Sequence, residues 1–361
     1  MKRFRFIISA LENESYFGCI LCVECVCVEA MVQSSPAVGF IEDQSVALTV
    51  LKRSDSHSKA VTAVGVGDAI NLYSEELDMM DTVSLSSRVC RLINLDGSVF
   101  FACEDGSLGF QVVSSTGHLG KLEQIASPSD ACIDADIHRS GHLASVLCQY
   151  SMNLIDTQRD SIMGKIPLGQ TGTPNGLRII DNSLVAIGSA VVSLFDLRTP
   201  QCKSGTASQV LDAPDARGRI FTSLESDGAG SVIAGDSSGG LWLWDCRNSS
   251  SSVTKSVHGH SGAVLSMSLG GGVLGSTSAD GSVSLWTIIS DQAIPAKKKS
   301  RKLLLDIASD IGGLRRANVL GTGTPVGICV EDSTIPVGED RKVAYVTDTG
   351  VLVLGSLSHW V

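Results

Sequence analysis

The chain has 361 residues, 43% of them apolar and 18% charged, with a formal net charge of −10. That apolar content excludes a disordered chain, and the acidity removes any global electrostatic reason to hold DNA or RNA. Gly is frequent at 37 and Pro sparse at 9, which points to many turns between short apolar runs: an all-β protein, a class that can run long as one domain.

The N-terminus opens Met1-Lys2-Arg3-Phe4-Arg5 and turns apolar, but Glu12, Asn13 and Glu14 interrupt the run. The apolar stretch is shorter than the roughly 7–15 residues of a signal-peptide core. Phe17 to Val28 carries Glu24 and falls short of the roughly 20 residues a bilayer span takes. Neither secretion nor a membrane span is expected. Cys19, Cys22, Cys25 and Cys27 have the spacing of a zinc or iron–sulfur ligand run. No second Cys or His pair follows at the usual distance, and four thiolates on one apolar strand would face both its sides. The segment reads as an apolar strand or an extension, so residues 1–30 are set apart as an N-terminal extension and no metal is expected. The other seven cysteines, Cys90, Cys103, Cys132, Cys148, Cys202, Cys246 and Cys329, sit mostly within apolar runs. Their odd count and unpaired spacing read as free thiols in a reducing compartment.

From Ala60 onward one pattern recurs: strand, acidic or Gly-containing turn, strand. Its copies are AVTAVGVGDAINLYS (60–74), SVFFACEDGSLGFQVV (98–113), HLASVLCQYSMNLIDTQRD (142–160), SLVAIGSAVVSLFDLRTP (183–200), SVIAGDSSGGLWLWDCRN (231–248), HGHSGAVLSMSLGGGVLGSTSADGSVSLWTI (258–288) and KVAYVTDTGVLVLGSL (342–357). Turns follow one another at about 37–49 residues, except for a longer gap before the last. The sixth copy is the fullest: Gly259-His260, a strand, three glycines, a second strand, the hairpin turn Asp280-Gly281, and a third strand ending in Trp286. The fifth ends in Trp244-Asp245 and the fourth in Phe195-Asp196.

The long gap, near residues 291–318, holds the basic run Lys297, Lys298, Lys299, Ser300, Arg301 and Lys302. It reads as a solvated loop, a nuclear-import signal or a phosphate contact in an exposed insertion. Lys302 to Arg316 has an amphipathic helical tendency that Gly312 and Gly313 weaken. No Walker-type phosphate loop and no His-Glu-x-x-His metal motif occurs. Neither a catalytic site nor a cofactor is expected.

These repeats resemble the WD-repeat family, which implies a single seven-bladed WD40-type β-propeller over residues 31–361. In that family a His, a Ser or Thr, an Asp and a Trp form a hydrogen-bonded network within a blade. The resemblance places His260, Ser276, Asp280 and Trp286 in it. The same residue types could make a hydrolase triad, but here they fall at the family's structural positions. Only the sixth copy carries all four.

A narrower resemblance covers about half the chain. The strand end LFDLR, the spacer SQVL (Ser208 to Leu211), then AGDSSGGLWLWDCR and SADGSVSLW follow in order, and the chain ends VLGTGTPVGICV…AYVTDTGVLVLGSLSHWV. This resembles the small WD-repeat nucleoporins of the Y-shaped outer-ring complex of the nuclear pore. The N-terminal half shares only the blade pattern and lacks that family's early Trp-rich blade. The resemblance implies a non-catalytic scaffold at the nuclear envelope that binds helical-solenoid nucleoporins and acts in nucleocytoplasmic transport of protein and mRNA. The alternative is another WD-repeat adaptor, nuclear or cytoplasmic: a ubiquitin-ligase substrate receptor, a chromatin or ribosome-assembly factor, or a trafficking adaptor.

Overall fold

The structure is a computed structural model. It describes residues 37–40, 45–51, 61–95, 98–114, 117–126, 128, 130–169, 173–211, 213, 218–247, 255–290, 303–306, 317–318, 324–331, 342–348 and 351–356. The extension over residues 1–30, with its four cysteines, and the basic run Lys297 to Lys302 lie outside them.

The strands form seven small antiparallel sheets, six of four strands and one of five among the described residues. In sequence order from the inner to the outer strand, blade one runs from Ser45–Leu51 to Met79–Ser84, blade two from Val89–Leu95 to Leu119–Ile125, and blade three from Cys132–Ile137 to Ser161–Pro167. Blade four runs from Gly176–Asp181 to Gln209–Leu211 and blade five from Phe221–Ser226 to Lys255–His258. Blade six comprises Val264–Gly270, Val273–Ser278, Ser282–Ser290 and Leu303–Asp306, with Ala317–Asn318 as its fifth strand. Blade seven joins Pro325–Val330, Lys342–Thr347 and Val351–Ser356 to the N-terminal strand Ala37–Phe40. This is a seven-bladed β-propeller, consistent with a WD-repeat protein. Six of the copies cover the second and third strands of their blades, and the sixth takes in the first strand of its blade as well.

The physical reason lies in the alternation of side chains. Within blade five, Val232, Ala234, Trp242 and Trp244 pack against blade four, while Ile233, Leu241 and Leu243 pack against blade six. Both faces of a middle strand are therefore buried, and such strands read as continuous apolar runs. Seven apolar cores result, each shared by two neighbouring blades. The core between blades seven and one, with Leu48, Val50, Ala344, Val346 and Leu352, closes the ring.

Close approach between blades requires small residues. A Cβ on Gly235 of blade five would lie 2.5 Å from Val264 Cγ1 of blade six, and one on Gly65 of blade one 2.9 Å from Val89 of blade two.

Two features differ from or go beyond the sequence reading. The helical tendency of Lys302 to Arg316 is overridden at its start. Leu303–Asp306 is a strand, paired antiparallel with Thr287 to Ser290. A free strand edge supplies backbone partners along the whole segment, which outweighs weak intrinsic propensity. The ring closes by pairing Ala37 with Leu354 through Phe40 with Val351, so the two ends of the fold share one sheet.

Candidate functional site

The four residues singled out in the sixth repeat meet in blade six. Trp286 Nε1 donates to Ser276 Oγ at 2.9 Å, and Ser276 Oγ lies 2.7 Å from His260 Nε2. On the other side of the ring, His260 Nδ1 lies 2.8 Å from Ser282 Oγ, which donates to Asp280 Oδ1. One set of proton directions satisfies the chain. Ser282 gives its proton to Asp280, so it accepts from Nδ1–H. Nε2 then accepts from the Ser276 hydroxyl, which accepts from Trp286. Ser282 is the bridge that the sequence reading missed, since Asp280 Oδ1 is 3.8 Å from His260 Nδ1.

Burial pushes the Asp280 carboxyl up. Donors from the Ser282 hydroxyl and from the Ser261 and Ser282 backbone amides outweigh it and hold the carboxyl well below the usual range. The triad geometry has no route for a substrate, because Ser276 is fully buried and His260 is 1% exposed.

Other blades keep fragments of this network. In blade two, Ser86 Oγ donates to Asp105 Oδ2 at 2.9 Å and Ser107 N donates to Asp105 Oδ1 at 2.9 Å. These three stand where Ser261, Asp280 and Ser282 stand in blade six. In blade five, Asp236 replaces the network. It accepts from Trp242 Nε1 at 2.8 Å, from Gly240 N at 3.0 Å and from Arg219 Nη1 at 3.1 Å. The pentapeptide Gly235-Asp236-Ser237-Ser238-Gly239 matches the spacing of a hydrolase nucleophile elbow. It forms the hairpin turn between two antiparallel strands, not a strand-to-helix turn.

The repeat-end pairs divide their work. Trp244 is 1% exposed, with its ring edge-on to Phe221 at 5.9 Å, and Phe195 is buried between blades three and four. Asp245 and Asp196 each grip the arginine two positions on through two side-chain bonds: 2.7 and 2.9 Å to Arg247, 2.9 and 2.8 Å to Arg198. The spacing Asp-x-Arg, as in DCR and DLR, is the sequence signal for this clamp.

The inner strands of all seven blades surround a central channel whose cavity measures about 210 Å³. A charged cluster lines one side of it. Arg178 Nη1 of blade four is 2.9 Å from Asp134 Oδ2 of blade three, and Nη2 is 3.0 Å from Glu225 Oε1 of blade five. Arg91 of blade two reaches the same Glu225 oxygen at 3.4 Å. Asp136 accepts from Ile179 N at 2.7 Å across the blade three–blade four boundary. Burial would draw the Arg178 pKa down, but Glu225, Asp134 and Asp136 outweigh it and hold the guanidinium charged. Burial pushes the Asp136 carboxyl up to about 6, against the pull of Arg178 and Arg91. Two guanidiniums face three carboxylates in this cluster, so it offers an anion no surplus positive charge. The sequence signal was a charge inside four of the seven apolar inner strands: CIDADI, GLRIID, FTSLES, VCRLINL.

Among the described residues no three His, Cys, Asp or Glu side chains gather as a metal site, and no helix is long and apolar enough to cross a membrane.

No protein-family profile matches the chain. Among curated proteins the chain is similar to Zinc finger CCCH domain-containing protein 62 of Arabidopsis thaliana, 29% identical over 192 residues. That match takes in 51% of this chain and 40% of the relative, less than half the relative's length. Among solved structures it is similar to the crystal structure of the computationally designed Ika8 protein, with a TM-score of 0.57 and 15% identity over 90% of this chain and 100% of that one. At such identity the likeness is one of fold.

Proposed function

We propose that this protein is a docking subunit of the outer ring of the nuclear pore, a rigid propeller that binds helical-solenoid nucleoporins. The observation that carries the scaffold part is the closed ring. Seven inter-blade cores and a shared terminal sheet make a stiff disc. The polar network of blade six, His260 with Ser276, is buried inside the blade, where it holds strands together. A fold of this kind presents loops and rims to protein partners. The pore assignment rests on the ordered segments LFDLR, SQVL, AGDSSGGLWLWDCR and SADGSVSLW and on the chain's ending. It puts the protein at the nuclear envelope, in transport of protein and mRNA.

The test is affinity purification of the tagged full chain from its own cells, with mass spectrometry of the recovered proteins. Near-stoichiometric outer-ring nucleoporins are expected. Recovery of a cullin-type ligase, a ribosome precursor or a vesicle coat without nucleoporins overturns the pore assignment and leaves a WD-repeat adaptor.

A further inference from the structure

Cys90 and Cys132 belong to the inner strands of neighbouring blades, 42 positions apart, and their sulfurs lie 3.5 Å from each other. The Cys90 thiol also donates to Ala102 O at 3.2 Å, and Cys132 to Asp134 O at 3.4 Å. A disulfide needs a sulfur separation near 2.05 Å, so side-chain rotation has about 1.5 Å to close. Cys90 is half-buried and lines the central cavity, whereas Cys132 is 6% exposed behind it. A small polar oxidant that enters the channel therefore meets Cys90 first, with Cys132 already in position behind it.

We propose that Cys90 and Cys132 form a site of reversible oxidation, at which a peroxide entering the channel converts the two thiols into a disulfide that staples blade two to blade three. In the first step the Cys90 sulfur attacks one peroxide oxygen. The O–O bond breaks, a Cys90 sulfenic acid forms, and one water leaves. In the second step the Cys132 sulfur attacks the sulfenic sulfur. The S–O bond breaks, the S–S bond forms, and the hydroxyl leaves with the Cys132 proton as a second water. The two thiols lose two electrons in all and the peroxide gains them. A dithiol reductant returns two electrons and two protons and restores the pair.

The surroundings give the site selectivity. Burial pushes the Cys103 thiol up to about 11 and the Cys246 thiol up to about 12, so both stay protonated at neutral pH. The hydrogen bond with Cys90, then burial, likewise raise the Cys132 thiol, which disfavours it as the group that meets the peroxide. The natural competitor is Cys148, the direct cross-strand partner of Cys132. Its sulfur instead accepts from Asn153 Nδ2 at 3.4 Å.

The experiment treats the intact full chain with a small excess of hydrogen peroxide and maps its peptides without reduction. The expected product is a Cys90–Cys132 linked pair, a mass loss of about 2 Da reversed by dithiothreitol, and a thermal midpoint raised by roughly 5 °C. In Cys132→Ala the sulfenic acid on Cys90 accumulates and is trapped by a cyclic 1,3-diketone. The wild-type map is read independently of whether that variant folds. A Cys132–Cys148 bridge, or Cys90 carried to the sulfinic acid with a gain of about 32 Da and no bridge, overturns the proposal.

Discussion

Arg178 holds carboxylates from two other blades on one buried guanidinium. A buried ion pair adds little over an apolar replacement of the whole set, but removal of one partner strands the rest. Arg178→Met is expected to cost about 3–5 kcal/mol in chemical denaturation at neutral pH. A loss within error of zero would mean that water already screens the cluster. Asp136 makes a second prediction. Its carboxyl holds a proton up to about pH 6 in the fold, above its ordinary value of 3.8. Between those values the folded chain binds a proton that the unfolded chain has released, so this group's stabilisation is full at the lower end and lost as pH rises through about 6. Comparison of wild type with Asp136→Asn isolates it. The difference in unfolding free energy moves toward the wild type by on the order of 2–3 kcal/mol between about pH 7 and pH 4. A flat difference refutes the assignment. Asp280 has the opposite sign: its depressed carboxyl stabilises above the ordinary range, and that contribution is lost as pH falls through it.

Blades six and two satisfy the hydrogen bonds of the same hairpin turn to different depths. Ser276→Ala deprives His260 Nε2 and Trp286 Nε1 of their shared buried hydroxyl. It should lower stability by about 2–4 kcal/mol. Ser107→Ala in blade two removes a half-buried hydroxyl whose partners Asp105 and Ser86 lie at the surface, and about 1 kcal/mol or less is expected. Equal losses would show that burial of the network is irrelevant. Between elements, Gly235→Ala drives a methyl into Val264 and should cost about 1–3 kcal/mol by overpacking, read as a lower thermal midpoint. How legible such elements were follows from their locality. The seven hairpins show in alternation and in turns such as Asp280-Gly281, because partners such as Val273 and Thr287 lie close in sequence. Ser282 was missed because a serine beside a turn looks like any other turn residue until His260 is seen 2.8 Å away.

The molecule is held shut by a sheet made from both ends of the described fold. Removal of the strand Ala37–Phe40 would leave Val351–Ser356 as an unpaired edge on blade seven. An open edge frays and invites pairing with other chains. A chain truncated through Phe40 should unfold at a lower temperature, be cleaved sooner by protease in blade seven, and self-associate. Unchanged behaviour in all three would show that the inter-blade core alone closes the ring.

Repeat number, blade pattern and the Trp-ended strands were written in local order: side-chain alternation and turn chemistry act over a few residues, and they repeat seven times. The residues His260, Ser276, Asp280 and Trp286 were singled out by the resemblance of the sixth copy to a WD repeat. The channel cluster, the terminal strand and the Cys90–Cys132 contact were not. Arg91 meets Glu225 across 134 positions, and Ala37 meets Leu354 across nearly the whole chain. Such partners are chosen by closure of the ring, which brings inner strands of different blades around one axis, and no local pattern of apolar and polar residues carries that information.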